Sequence, residues 1–359
     1  MRARLSFSLV LLLALALPAL AADYPAPVEG TLTLTDFRFQ SGAVLPELRL
    51  HYRTIGTPQR GPDGEIANAV LIVHGTTGSG ASLLRPEFAG ELFRKGGVLD
   101  ATRYYIVLPD ALGHGRSSKP SDGLRAGFPR YGYLDMVEAQ RRLLVEGLGV
   151  RHLRLVMGTS MGGMHTWLWG GLHPDFMDAL LPLASLPTQI SGRNRAWRRT
   201  LMDAITRDPG WKGGDYEVQP AGLRTAGAML FLMSSNSVLR QQEAPTMAAA
   251  DAAFDQYLEA FIARSDANDV LYQVQASFDY DPAPLLGRIE APLVAINFAD
   301  DLINPPELGL LERGIAAVPH GRAITVPAGP DSVGHGTHTI ARVWQEQLRE
   351  LLEATEGRL

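Results

Sequence analysis

Residues 157–167 read MGTSMGGMHTW, one serine among three glycines with apolar residues on both sides. Ser160 lies inside G-T-S-M-G (Gly158–Gly162), the G-x-S-x-G pattern that carries a nucleophilic serine on a tight strand-to-helix turn. The flanking glycines fit that chemistry, because strand and helix approach too closely at such a turn for a Cβ atom. A serine held there attacks carbonyl carbons once a base takes its proton and a third group orients the base. An ordinary Gly-rich turn satisfies the same pattern, so the partners decide.

In this arrangement the acid and the histidine follow the serine in that order. The segment FADDLINPP places Asp300 and Asp301 after an apolar strand, and GPDSVGHGTH places His335 and His338 after the next one. The residues alone leave both choices open. The oxyanion of a tetrahedral intermediate needs two backbone N–H donors. Met161 supplies one and the loop VHGTTGSG (Val73–Gly80) the other, from Thr76. His74 and His114, in VHG and LGHG, read as loop organisers. His335 and His338 form an H-x-x-H without a carboxylate or cysteine partner, so neither a metal nor a cofactor is expected.

The elements that position these residues are legible in the apolar runs. Thr31–Phe39 and Leu48–Gly56 alternate apolar and polar residues, as half-exposed antiparallel strands do. Ala69–Gly75, Tyr104–Asp110, Leu153–Gly158, Asp178–Ser185, Pro292–Asn297 and Ala323–Ala328 are continuously apolar, which predicts strands buried on both faces of a parallel sheet. Tyr133–Leu148 is an amphipathic helix between two of them. The strand signal vanishes between Pro187 and Pro284, where Arg195–Asp208 and Ala252–Ala263 read as helices. The expected fold is α/β: a mostly parallel sheet with flanking helices and a helical cap inserted at about 188–285.

The chain has 359 residues, no cysteine and a formal net charge of −5. Its mildly acidic balance and lack of a basic stripe argue against nucleic acid as partner. No disulfide or thiolate metal site can form. Arg2 and Arg4, the apolar Leu5–Leu17 and Ala19-Leu20-Ala21 have the layout of a cleavable leader over residues 1–21. The apolar run is short for a membrane span, so a periplasmic or secreted mature domain over 22–359 is expected, without a stable membrane anchor. The expected partner is a small ester or acyl compound, and a homodimer remains open.

The chain resembles the homoserine O-acetyltransferase family within the α/β-hydrolase fold. HYRTIGTP, NAVLIVHGTTGS, LDATRYYIVLPDALG, GTSMGGMHTWLWGGLHPD, the cap segment RNRAWRRTLMDAITRDPGWKGGDY, LVAINFADDLINPPEL and VGHG follow that family's pattern in order. The resemblance implies Ser160 as nucleophile, His335 as base and, through LVAINFAD, Asp300 as orienter. Asp301, which fits a D-x-x-x-P spacing, is the runner-up. The family's acyltransferases carry Asp straight after the catalytic histidine, where this chain has Gly336. The reading that follows is an exported, esterase-like serine hydrolase working through an acyl-enzyme. Its alternatives are an acyltransferase of the homoserine O-acetyltransferase type and a catalytically silent binding protein on the same fold.

Overall fold

A computed structural model describes residues 23–357; the expected leader over residues 1–21 lies outside them. Eight strands form one sheet: β1 (Val28–Arg38), β2 (Val44–Ile55), β3 (Ala69–Val73), β4 (Tyr105–Pro109), β5 (Leu155–Thr159), β6 (Leu180–Leu183), β7 (Leu293–Phe298) and β8 (Gly321–Val326). Their spatial order is β1-β2-β4-β3-β5-β6-β7-β8. The two alternating segments become the antiparallel edge, with β2 also antiparallel to β4. The continuously apolar runs become the parallel body.

The continuous apolarity has a direct cause. Leu71 and Val73 of β3 face one hydrophobic core, while Val70 and Ile72 face another across the sheet. The first core takes in α1 (Tyr133–Arg142) and α2 (Met161–Leu172). The segment read as one helix over 133–148 ends as α1 at Arg142 and continues as a wider turn through Gly147.

Between β6 and β7 the chain is helical: α3 (Gly192–Thr206), α4 (Gly222–Ser234), α5 (Ser237–Glu243), α6 (Met247–Ala263) and α7 (Ala267–Gln275). Trp197, Leu201, Leu223, Phe261 and Val270 belong to a third core built within these helices. Helix α7 ties them to the body. Tyr272 Oη donates to the Ala126 and Phe128 carbonyls, and Gln273 donates to that of Gly113. Helices α8 (Leu310–Ile315) and α9 (Gln345–Ala354) complete the chain.

The chain passes from β3 to β4 on one side and then crosses back past β3 to β5 on the other, so the strand order reverses there. A crevice therefore opens at the carboxyl ends of β3 and β5, where ligands bind in open α/β sheets. The loop after β3 is held in place by Asp110, at the end of β4. Its buried carboxylate accepts from the Gly80 and Arg116 amides at 2.8 and 2.9 Å and from Arg53 at 2.9 Å, with His51 Nδ1 at 3.0 Å. Burial alone would raise this carboxyl, but the two amides and the Arg53 guanidinium outweigh it and hold it below its ordinary value. Asp110→Ala leaves those donors buried and short of an acceptor. It should cost about 3 kcal/mol, read as a lowered urea midpoint with an unchanged slope.

Candidate active site

Ser160 stands between the last residue of β5 and the first of α2, with φ 55° and ψ −110°. A non-glycine residue in that region carries a strain of order 1–3 kcal/mol, sustained by the packing on either side. A Cβ on Gly158 would fall 2.2 Å from the Gly162 carbonyl oxygen, and one on Gly162 would fall 2.0 Å from that of Val73. The glycines therefore let α2 start directly over the ends of β5 and β3. The Ser160 amide donates to Leu183 O at 2.9 Å, fixing the turn to β6.

Ser160 Oγ lies 2.8 Å from His335 Nε2, and His335 Nδ1 lies 2.8 Å from Asp301 Oδ2. An ionised carboxylate only accepts, so Nδ1 bears the proton and Nε2 is left to accept from the serine hydroxyl. Asp301 is buried. Burial alone would raise its carboxyl, but His335, the Ile303 amide and Asn304 Nδ2 outweigh it and hold it below the ordinary value. Asn304 also donates to the Ala184 carbonyl, which anchors the loop that carries Asp301.

Asp300, the acid that the resemblance implied, does not face His335. Its Oδ2 accepts from the Gly334 amide at 2.6 Å and from Asn236 Nδ2 at 2.8 Å. The reason lies in the turn after β7. Ala299 N still donates to Val326 O, as in the sheet, whereas Asp301 N turns back onto Phe298 O. The carboxylate that points inward is therefore the second of the pair. Asp300 instead clips the histidine loop to the residue that caps α5. The D-x-x-x-P spacing was the signal for Asp301, and Asn304 was not read from the sequence at all.

Thr76 sits at the second position of the turn closed by Gly78 N and Gly75 O, lining the cavity that holds Ser160 and His335. Met161 is the first residue of α2, where an amide has no partner within the helix. Both expected oxyanion donors thus belong to segments that converge on Ser160. His74 donates through Nδ1 to Gly75 O at 2.7 Å, and its Nε2 accepts from Ala111 N at 3.0 Å, so it shapes this loop. His338 packs edge-on against His335, with ring centres 5.1 Å apart. Burial first, then the neighbouring His335, lowers it to about 3, so it is neutral and no rival base.

Two cavities meet at Ser160. One of about 360 Å³ runs between Met164, the Leu186–Arg198 segment and Leu308; one of about 270 Å³ lies among the Thr76 loop, α6 and His335. A larger hollow, about 440 Å³, lies away from this chemistry against α9. Among the described residues no group of His, Asp and Glu has the arrangement of a metal site.

Residues 68–330 match the family described as alpha/beta hydrolase fold. The chain belongs to that family. It is 31% identical to a probable acyltransferase of Methanothermobacter thermautotrophicus over 276 residues, covering 77% of this chain and 83% of the relative. It is also 31% identical to a homoserine O-acetyltransferase of Pelobacter propionicus over 317 residues, with the same two coverages. Among solved structures, an acetylester hydrolase of Corynebacterium glutamicum matches with a TM-score of 0.78 at 23% identity, over 91% of this chain and 96% of that one. This α/β hydrolase is therefore an enzyme of the homoserine O-acetyltransferase-like branch.

The two adjacent acids can be told apart by activity. Asp301→Asn leaves the ring in the wrong tautomer and should lower kcat toward an activated ester about 10⁴-fold. Asp300→Asn, which perturbs only the loop clip, should cost no more than about tenfold, on the scale of one lost charge-assisted hydrogen bond. Steady-state kinetics of both variants decides; a larger loss in Asp300→Asn would reverse the assignment.

Proposed function

We propose that this enzyme moves an acyl group through a covalent acyl-Ser160 intermediate and, as the names of its curated relatives suggest, hands it to an acceptor hydroxyl. The observation that carries this reading is the unbroken Ser160–His335–Asp301 hydrogen-bond chain at the junction of two cavities. His335 Nε2 takes the Ser160 proton as Oγ bonds to the acyl carbon. The oxyanion that forms faces the Thr76 and Met161 amides, and Asp301 stabilises the imidazolium. His335 then returns the proton to the departing alkoxide. A second hydroxyl, deprotonated by the same nitrogen, attacks the acyl-enzyme and frees Ser160.

Hydrolysis is the second reading, with water as that last hydroxyl. Gly336 favours it, because the position after His335 offers no carboxylate to an amino-acid acceptor. Export favours it too, since an exported enzyme meets no acetyl-CoA pool and must draw its acyl group from an ester. The leader-like residues 1–21 support export.

Two measurements test these readings. A fluorophosphonate probe should label Ser160 in the wild type and not in Ser160→Ala, whose ester turnover falls at least about a thousandfold. With p-nitrophenyl acetate as donor and a small hydroxy compound added, transfer predicts acetylated acceptor in excess of free acetate by NMR. Acetate alone, at a rate indifferent to the acceptor, would establish the hydrolase. For export, the chain expressed with residues 1–21 should be recovered outside the inner membrane beginning at or near Ala22, by N-terminal sequencing. Full-length chain confined to the membrane fraction would overturn that.

A further inference from the structure

Arginines surround Ser160 without acidic partners. Arg198, on α3, is buried and lines both cavities that meet at the serine. Its Nε donates to Asn194 Oδ1 at 2.9 Å and its Nη1 to Ser277 Oγ at 3.3 Å, and its guanidinium lies 4.9 Å from the centre of the Trp197 ring. All three partners are neutral. Arg193 lines the larger of the two cavities and donates to the Leu302 carbonyl. Arg85 and Arg264 line the smaller and donate to the Thr339 hydroxyl and the Ala260 carbonyl. Among the described residues no Asp or Glu lines either cavity. By contrast Arg199, one residue along the same helix but exposed, pairs with Asp203 at 2.8 Å.

A buried guanidinium keeps its charge, and leaving it without a counter-charge is expensive. Burial accordingly draws Arg198 below its ordinary value. Two hydroxyls stand beside it. Tyr133 Oη, on a fully buried ring, faces Arg198 and Thr76, and neither it nor Thr76 Oγ1 reaches a partner at ordinary hydrogen-bond geometry among the described residues. A planar cation steadied on an indole, flanked by two hydroxyls and short of a counter-charge, is a receptor for a planar anion. An ammonium group would find arginines and no carboxylate in either cavity wall.

We propose that the compound bound against Ser160 carries a carboxylate seated on Arg198 and no ammonium group. This rests on Ser160 as the residue that takes the acyl group, and it makes the preferred alcohol a short hydroxy acid in place of an amino acid. The Ser160→Ala protein binds such esters without turning them over, so binding can be read apart from catalysis. Calorimetry near pH 7 compares 4-acetoxybutyrate, its neutral amide and O-acetylhomoserine, which adds an ammonium.

The carboxylate should bind at least about tenfold more tightly than the amide, the worth of one charge-assisted pair, with O-acetylhomoserine weaker than 4-acetoxybutyrate. Adding Arg198→Met should erase the preference, and Arg198→Lys should restore part of it. Equal binding of acid and amide, no measurable binding of either, or a preference that survives Arg198→Met overturns the proposal. The first two outcomes need no arginine variant, so misfolding cannot mask them. Failure of the acyl-serine reading would appear separately, as wild-type protein that fluorophosphonate does not label.

Discussion

The first turn of α2 lies almost against the backbone at the end of β3, so close that a Cβ on Gly162 would meet the Val73 carbonyl at 2.0 Å. Much of the site follows from that approach. It forces the chain to reverse within Ser160, which accepts a left-handed φ as a result. It also sets the start of α2 beside the loop after β3, so that the Met161 and Thr76 amides belong to neighbouring segments although 85 positions separate them in sequence. Asp110 then fixes that loop from below through Gly80 N. An oxyanion site made of backbone depends on such packing, because amides cannot be repositioned by a change of rotamer.

The two acids after β7 divide the remaining work. Asp301 orients the imidazole, and its burial makes the interaction strong because little water competes. Asp300 holds Gly334 N and Asn236, while His335 N donates to the carbonyl of Ser234 at the end of α4. The histidine loop is therefore fastened to the inserted helices as well as to the sheet.

Nucleophile chemistry alone does not separate this chain from either group of its relatives, since hydrolysis and transfer share the acyl-enzyme. What differs is the wall around it. The segment from Gln189 to Arg198 forms one side of the 360 Å³ cavity, and its charges are cationic. Position 336 adds no carboxylate. On the proposed reading, the selectivity of the last step lies with α3 and its junction with β6, on a scaffold whose reactive atoms stand elsewhere.

The sequence by itself determined the strands, the elbow and the order of the site residues. Continuous apolar runs marked β3 to β7 because each is covered on both faces, the half-buried edge strand β8 was marked by its apolar residues alone, and three glycines around one serine marked a turn that tolerates no Cβ. Helices α4, α5 and α7 escaped it: α7 is buried over all of residues 267–274, polar Asn268, Asp269 and Gln273 included, so its burial does not follow residue polarity. Adjacent Asp300 and Asp301 differ only in which way a turn points their carboxylates, a matter settled by bonds to Val326 and Phe298. The pairing state of Arg198 was equally hidden. Four arginines in the seven residues 193–199 look like a solvated helix face until packing buries one of them and leaves it without an acid.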